Sequence, residues 1–202
     1  MRRWLASCLL LLSGLAAADE RIVVCYNYGC AAEATVRYTE SQLAWARKAM
    51  VTAKSPEQER AALGPVIGRL YHWAGRQTPI YADKGGNYAD EATPGSMDCI
   101  DHSTTTTRLL EMLQRRGILR FHSVEAVARR SRAFIFEHYS AVIEESPPRW
   151  LPREKMRYPK VMPEEARPER FAVDSWFVDN GQPAVILPLD DWKDGAGPGV
   201  DN

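Results

Sequence analysis

Residues 95–117 read GSMDCIDHSTTTTRLLEMLQRRG, and they mark the point where the character of the chain changes. The segment starts in a loop that contains Gly95 and stops at Gly117, a residue type that commonly ends helices. Between the glycines, leucines at helical spacing predict a helix that begins near Asp98. Residues before this helix favour helices and residues after it favour strands. We therefore expect one α+β domain over 19–202, with this helix packed on an antiparallel sheet.

Two further helices are predicted on the N-terminal side. Residues 40–53 are helix formers with apolar side chains at helical spacing. Ser55 opens a capping box with proline at the first helical position, and an apolar stripe follows as far as Tyr71. Pro65 inside this second helix predicts a kink. A short β-prone run, residues 22–24, precedes both helices.

The segments after the third helix predict the strands of the sheet. A proline-rich insertion, residues 147–170, interrupts them with six prolines and eleven charges, which is too long for a hairpin turn. We expect this insertion to be either disordered or a flap over a site. The tail after Trp192 is predicted to be loose. The predicted strands are residues 118–124, 133–136, 138–145, 171–178 and 184–189.

The first eighteen residues have the pattern of a secretory signal peptide. Arg2 and Arg3 precede an apolar run that is too short to span a bilayer, and residues 16–18 are alanines. A retained membrane anchor is the alternative, which the short apolar run disfavours. Removal of this segment leaves 24 basic and 26 acidic residues, so neither nucleic-acid binding nor acidic disorder is expected. We expect a periplasmic or secreted protein with no stable membrane anchor.

Export changes the interpretation of the cysteines. An oxidising compartment lets disulfides persist, and removal of the signal peptide leaves Cys25, Cys30 and Cys99. Cys25 and Cys30 enclose four residues that include Gly29, which suits a tight turn, so they are predicted to form a disulfide. Thioredoxin-type redox chemistry would need two intervening residues. Cys99 then remains as a single thiol.

Cys99 is the candidate nucleophile. Its predicted place is the N-terminus of a helix, where the macrodipole favours the thiolate. The thiolate is the reactive form of cysteine, and a nearby protonated histidine lowers the thiol pKa further. The position therefore predicts a lowered pKa for Cys99. A buried structural cysteine is the alternative interpretation.

His138 and Asp174 are the candidate base and orienting acid. His138 stands at the head of an apolar, alternating strand, and Asp174 interrupts an otherwise apolar one, where an unpaired carboxylate would be costly. If these strands pair antiparallel, Asp174 accepts the Nδ1 proton of His138 and leaves Nε2 facing Cys99. Trp176 lies on the same strand face as Asp174, so we expect it to shield the hydrogen bond from water.

Other residues support competing interpretations. Cys99 and His102 have a metal-ligand spacing, and with His138 and an aspartate they could hold zinc. No second paired ligand motif supports that site, so we expect neither a metal nor another cofactor. Asp179 is the second candidate for the orienting acid, although its Asp-Asn-Gly context favours a turn. His122 is expected to be structural.

The order cysteine, histidine, aspartate resembles that of the papain-like and transglutaminase-like cysteine enzymes. Residues 98–101, Asp-Cys-Ile-Asp, are similar to the Asp-Cys-x-Asp of the bacterial transglutaminase-like cysteine proteinases. The segment 138–142, His-Tyr-Ser-Ala-Val, resembles the family's His-Ala-Val strand. Residues 174–176 resemble papain's Asn-Ser-Trp with aspartate for asparagine. The resemblance covers residues 96–189.

The resemblance implies an exported cysteine hydrolase that acts on amides or esters through an acyl-thioester intermediate. It also implies a nucleophile-bearing helix packed on the sheet that carries the histidine and the acid. Peptides or proteins, including those of the cell envelope, are the expected substrates, and transfer to an amine would use the same residues. The N–H of Cys99 is one expected oxyanion donor, and Asn87 or Tyr88 the second. A catalytically inactive binding or structural protein on the same fold is the alternative.

Overall fold

A computed structural model describes residues 19–86, 93–132, 136–146 and 168–198 of the chain. The predictions for the signal peptide and for nearly all of the proline-rich insertion fall outside these ranges. Helices and antiparallel strands are both present, which confirms the α+β class. Of the helices in these ranges, none is long and apolar enough to cross a membrane.

An antiparallel hairpin begins the described chain. Its strands are β1, Glu20–Tyr26, and β2, Ala32–Tyr38. The sequence predicted only the middle of the first strand and did not predict the second. Cys25 and Cys30 form the predicted disulfide across the turn that joins them.

The two N-terminal helices form as their sequences predict. They are α1, Glu40–Val51, and α2, Pro56–Gly75. The hydroxyl of Ser55 accepts the main-chain N–H of Gln58 at 3.3 Å and so satisfies an otherwise unpaired donor at the start of α2. The helix continues past Pro65, and its buried face contributes to the main core.

The third helix carries the candidate nucleophile at its first position. A short 3-10 turn, Pro79–Ala82, precedes it, and the helix itself is α3, Cys99–Arg115. The side chain of Asp98 accepts two main-chain N–H groups of the first turn, while Asp101 reaches back to complete a capping box. Gly117, at φ +62°, follows the end of the helix, as predicted.

A four-stranded antiparallel sheet and a fourth, short helix complete the described fold. The strands lie in sequence order across the sheet, and the helix follows the last strand directly. The elements are β3, His122–Arg132; β4, Phe136–Glu145; β5, Arg170–Asp174; β6, Val185–Pro188; and α4, Leu189–Lys193.

The boundaries of the first predicted strand need correction. Residues 118–124 were expected to be extended, but β3 begins only at His122. The N–H groups of Ile118 and Leu119 still donate to the carbonyl of Leu113, at 2.9 and 3.4 Å, because they complete the C-terminal cap of α3. The apolar character of this segment reflects the burial of the cap.

The C-terminal predictions also change at three points. Of the predicted strand 133–136, the structure describes only Phe136, which begins β4. The strand β5 ends at Asp174, because the N–H of Trp176 turns back to the carboxylate of Asp174 at 3.1 Å. The tail after Trp192 was expected to be loose, but it is hydrogen-bonded as far as Ala196: the N–H of Gly195 donates to the carbonyl of Trp192 at 3.1 Å, and Arg130 donates to the carbonyl of Ala196 at 2.9 Å.

The main core lies between the helices and the sheet. The helix α3 packs against β1 on one side and against β4 on another. Leu109 and Leu113 of α3 share this core with Ala141 and Ile143 of β4. The first turn of α3 is thereby held beside the strand that carries His138.

Candidate active site

The thiol of Cys99 lies against the strand that carries the candidate base. Cys99 is half-buried, and its Sγ is 3.8 Å from the main-chain carbonyl of Glu137, to which it donates. A main-chain hydrogen bond from Tyr139 also reaches the sulfur. Glu137 and Tyr139 are the residues on either side of His138. The Cys99 thiol therefore lies beside the main chain on either side of His138.

The prediction of a lowered thiol pKa needs correction. Burial raises the pKa of Cys99 above its ordinary value, because it removes water from the thiolate. The hydrogen bond from Tyr139 lowers this pKa, but the negative charges of Asp98 and Asp174 raise it again. The net effect is a raised pKa, which favours the neutral thiol over the thiolate.

His138 and Asp174 form a short, buried pair across β4 and β5. The His138 Nε2 is 2.7 Å from the Asp174 Oδ2, and both side chains are almost fully buried. We predicted the opposite ring nitrogen. The strand register pairs Ala141 with Val173, so Asp174 lies level with Ser140 and two residues from His138. The two side chains are therefore diagonal neighbours across the strands, and Nε2 is the ring nitrogen that meets the carboxylate.

The other ring nitrogen of His138 has no hydrogen-bond partner within the part of the chain that the structure describes. Because Asp174 accepts from Nε2, this nitrogen is Nδ1. A neutral imidazole with Nε2–H fixed by a carboxylate presents a lone pair at Nδ1. The ring is therefore able to take a proton at the nitrogen that the carboxylate does not hold.

Asp174 accepts three donors, and this set explains why the position is an aspartate. Besides His138, the indole Nε1 of Trp192 donates to Oδ2 at 2.8 Å, and the main-chain N–H of Trp176 donates to Oδ1 at 3.1 Å. An asparagine would turn its amide hydrogens toward at least one of these N–H groups. Only a carboxylate accepts from both sides.

Aromatic rings enclose the imidazole of His138. The ring centroids of Trp176, Phe177 and Trp192 lie 4.7, 5.5 and 5.5 Å from that of His138. These rings keep water from the histidine–aspartate hydrogen bond, which a low-dielectric environment strengthens. Trp176 lies where shielding was expected, with its side chain beside the ring and its main chain on Asp174.

Trp192 is the site residue that the sequence analysis missed. A buried tryptophan usually finds a partner for its indole N–H, and that was the available signal. Its helix, α4, is fixed by Arg130, whose guanidinium donates to the carbonyls of Trp192 and Ala196 and lies 4.7 Å from the indole ring. Arg130 is the cross-strand partner of His138, so it holds α4 next to the histidine.

The disulfide loop holds the first turn of α3. Residues 27–30 all have φ between 56° and 66°, a left-handed turn that aims consecutive N–H groups in one direction. The N–H groups of Tyr28 and Cys30 donate to Asp101 at 2.8 and 2.6 Å, and that of Gly29 donates to Asp98 at 2.8 Å. The loop is thus a nest for the two carboxylates that flank Cys99. Burial raises the pKa of Asp101 to about 6, against the lowering effect of these donors.

The sequence offered two alternative roles, a zinc ligand at His102 and an orienting acid at Asp179, and the structure gives both residues other partners. His102 engages both ring nitrogens inside the protein, with Asp83 at 3.0 Å and Ser175 at 2.8 Å, so it is not available as a zinc ligand beside Cys99. Asp179 forms an exposed ion pair with Lys84, away from the imidazole that it was considered to orient. The second candidates for the site therefore have other partners.

Two further predictions concern the oxyanion donors and the other metal candidates. Asn87 and Tyr88 lie outside the described residues, and the N–H of Cys99 stands at the start of α3. In the ranges that the structure covers, one cluster of potential metal ligands is present, formed by Cys25, Cys30 and Asp101. Its two sulfurs are joined in the disulfide and do not offer thiolate ligands.

His122 has the structural environment that was expected for it. The His122 Nδ1 is 2.9 Å from the carboxylate of Glu59, and Nε2 is 3.1 Å from Arg60. Glu59 also accepts the N–H groups of Arg120 and Phe121, both at 2.8 Å. This buried pair fastens α2 to the start of β3.

The geometry defines a class of site: a half-buried thiol at a helix start, a buried imidazole beside it, and a carboxylate that holds the imidazole. Comparison with known proteins adds no relative, since no family model, no curated protein and no solved structure matches the chain. The case for a function is therefore made from Cys99, His138 and Asp174 themselves.

Proposed function

We propose that the protein is an exported cysteine hydrolase of the peptidase or amidase type, with Cys99, His138 and Asp174 as its triad. The observation that carries the proposal is the buried His138–Asp174 pair: among the described residues Nδ1 of His138 has no hydrogen-bond partner, and the strand segment around His138 contacts the thiol. The packing of α3 on β4 supports a papain-like or transglutaminase-like arrangement. The pattern of residues 1–18 and the disulfide support export.

The first half of the reaction transfers an acyl group to the enzyme. The Cys99 Sγ–H gives its proton to His138 Nδ1 while the sulfur bonds to the carbonyl carbon of an amide or ester. The carbonyl electron pair moves to the oxygen, which the N–H of Cys99 stabilises. As the carbonyl reforms, the bond to the leaving group breaks, and His138 returns the proton to the departing nitrogen or oxygen. The product is a thioester.

The second half releases the acyl group. Water loses a proton to His138 Nδ1 and attacks the thioester carbon; the carbon–sulfur bond breaks, and the proton goes back to Cys99. An amine in place of water gives a new amide by the same steps. Asp174 keeps Nε2–H in place throughout and stabilises the imidazolium each time it forms.

Because the pKa of Cys99 is raised, we expect the thiol to lose its proton during the reaction and not before it. A raised pKa favours the neutral form of this half-buried thiol, so the base takes the proton as the sulfur attacks. Without His138, the thiolate would form only above the ordinary thiol pKa. The dependence of thiol reactivity on His138 is therefore the direct signature of the triad.

An inactive binding protein on the same fold is the second candidate, and one observation favours it. The Cys99 thiol donates to the main chain at Glu137, and its pKa is raised. In that case, alkylation by iodoacetamide should begin only above about pH 8.5 and should not change in His138→Gln. In a hydrolase, alkylation of the wild type should extend to lower pH, and His138→Gln should remove that reactivity.

The test of hydrolysis uses p-nitrophenyl acetate, an activated ester that needs no substrate-specific contact. We expect a burst of p-nitrophenolate and one acetyl group on Cys99 by peptide mass spectrometry. Cys99→Ala should lose both, whereas Ser103→Ala, a variant one turn along the same helix, should keep them. Retained acetylation and turnover in Cys99→Ala would contradict the proposal.

A further inference from the structure

A second histidine–aspartate pair lies in the described fold close behind the triad. The pair is His102 with Asp83, and both residues are at most 2% exposed. The His102 Nε2 is 3.0 Å from the Asp83 Oδ2, and its Nδ1 is 2.8 Å from the hydroxyl of Ser175. The three groups have the chain of contacts of a serine triad.

Two further buried hydroxyls, those of Thr106 and Tyr71, extend this chain. The Thr106 Oγ1 is 2.9 Å from the Ser175 Oγ and 2.9 Å from the Tyr71 hydroxyl. The Tyr71 hydroxyl is also 3.2 Å from the main-chain carbonyl of His102. Each hydroxyl has both a donor and an acceptor direction filled, so the network is closed on itself.

Burial and hydrogen bonding argue against a second nucleophile at Ser175. Its side chain lies among Thr106, Tyr71 and His102, and the residue is only 5% exposed. Acyl transfer needs a carbonyl carbon within reach of the attacking oxygen, and this packing leaves no room for one. Any effect of this network on the reaction must therefore come through the residues that it connects.

Those connections join two of the three elements that carry the triad, α3 and β5. His102 follows Cys99 by three residues on α3, and Ser175 directly follows Asp174 at the end of β5. Asp83 also fixes the segment just before α3, because its Oδ1 accepts the N–H of Met97 at 2.8 Å. The contact between His102 and Ser175 therefore links the nucleophile's helix to the carboxylate's strand.

We propose that His102 is a positioning residue for the triad: its Nδ1 contact with Ser175 keeps Asp174, and through it His138, in register with Cys99. This inference rests on the function proposed above. Loss of the contact lets the end of β5 shift relative to α3, and the transfer of the thiol proton is sensitive to shifts of about 1 Å. Asp83 fixes the tilt of the imidazole from the other side.

The two ring nitrogens of His102 can be tested separately. His102→Asn places an amide near the position of Nδ1, so it keeps a partner for Ser175 and removes the contact of Nε2 with Asp83. His102→Gln reaches the position of Nε2, so it keeps Asp83 and loses Ser175. Ser175→Ala removes the same contact from the strand side. His122→Gln is the matched control, because it alters an equally buried histidine–carboxylate pair at the start of β3.

The measurement is the rate of Cys99 alkylation by iodoacetamide from about pH 5 to pH 9, with the midpoint of urea unfolding recorded for each variant. We expect His102→Gln and Ser175→Ala to lower the His138-dependent rate about threefold to tenfold, the value of one hydrogen bond. His102→Asn should keep more of the rate than His102→Gln while losing more stability, because the buried carboxylate of Asp83 loses its hydrogen bond with Nε2 of His102. His122→Gln should lose stability only.

Two results would overturn the inference, and they differ. If the wild type reacts like His138→Gln at every pH, the triad does not operate, and both the proposed function and the positioning role fail. If the wild type shows the His138-dependent rate but His102→Gln and Ser175→Ala keep it unchanged, the positioning role alone fails. If a His102 variant folds poorly, the rate of Ser175→Ala decides between these outcomes.

Discussion

Two histidine–aspartate pairs lie side by side in this fold, and they differ in what the second ring nitrogen meets. The Nε2–carboxylate distances are similar, 2.7 Å for His138–Asp174 and 3.0 Å for His102–Asp83. The Nδ1 of His102 is bonded to the hydroxyl of Ser175. The Nδ1 of His138 has no hydrogen-bond partner among the described residues, and its strand touches the Cys99 thiol.

This difference separates a group that can exchange protons from one that fixes geometry. A ring bonded at both nitrogens inside the core can change protonation only if its partners change as well. A ring bonded at one nitrogen can accept a proton at the other. The length of a histidine–carboxylate bond is therefore a poor guide to catalysis; the surroundings of the remaining nitrogen are the better one.

The largest expected effect comes from removing the imidazole at the reacting position. His138→Gln should lower the rate of acetylation by p-nitrophenyl acetate by about 10²- to 10⁴-fold, since it removes the general base. The same exchange at His102 should cost about tenfold at most. Stopped-flow measurement of the p-nitrophenolate burst compares the two variants. Equal losses would show that the two pairs do not have distinct roles.

A smaller effect is expected from the donor that Asp174 shares with His138. Trp192→Phe keeps a ring against the imidazole but removes the indole N–H that lies 2.8 Å from the Asp174 Oδ2. A hydrogen bond to a charged group contributes about 1.5–3 kcal/mol, so the acetylation rate should fall roughly tenfold or more. Without this donor, Asp174 is held less firmly against His138.

The control for this change is another tryptophan. Trp73→Phe alters the ring that meets Trp45 edge-to-face, on α1 and α2. It should leave the burst unchanged. A Trp192→Phe variant with full activity would show that Asp174 is sufficiently fixed by Trp176 and His138.

The comparison also shows how far sequence reasoning reaches. Cys99, His138 and Asp174 could be named because each breaks a local pattern: a single thiol at a helix start, and polar groups in apolar strands. The choice of ring nitrogen could not be made, because it depends on the strand register that sets Asp174 level with Ser140. The pKa of Cys99 was predicted in the wrong direction because burial is a property of the folded packing.

The residues that the sequence did not reveal have weak local signals. The strand β2, Ala32–Tyr38, carries charges along its exposed positions and buries only Val36 and Tyr38, so little apolar periodicity marks it. Trp192 lies in a short helix, between acidic and glycine-rich segments. The partners of His102 are separated from it by 19 and 73 residues, and no spacing rule connects them.

The disulfide should affect the Cys99 side of α3 more than the His102 side. Its loop donates to Asp98 and Asp101, which flank Cys99, whereas His102 is held by Asp83 and Ser175. Replacing Cys25 and Cys30 by alanine frees a loop of six residues in the unfolded chain, which lowers the free energy of unfolding by about 2 kcal/mol. Urea denaturation measures this loss.

Hydrogen exchange locates the effect within the helix. In the double alanine variant, the amides of the nest, residues 28–30, and those of the first turn of α3 should exchange faster than in the wild type. Amides near Thr106 should keep their protection. Uniform acceleration along α3 would mean that the loop supports the whole helix and not its first turn.

The smallest expected effect concerns the carboxylate of Asp101. Its folded-state pKa is raised to about 6 by burial, whereas an unfolded aspartate titrates near about pH 3.9. Between these values the folded state binds more protons than the unfolded state. The contribution of Asp101 to stability is therefore present at low pH and is lost as the pH rises from about 4 to 6. The free energy of unfolding, measured by urea denaturation across this range, should carry that decrease.

Two variants isolate this contribution from those of the other acids. Asp101→Asn should remove the decrease between about pH 4 and 6, whatever it does to stability elsewhere. Asp179→Asn is the comparison, because Lys84 lowers the pKa of Asp179 instead of raising it. The contribution of Asp179 to stability is therefore lost as the pH falls. A wild-type contribution from Asp101 that grows with pH would show that its three main-chain donors outweigh burial. Asp101 would then be a carboxylate as firmly held as Asp174, and the nest would stabilise its charge.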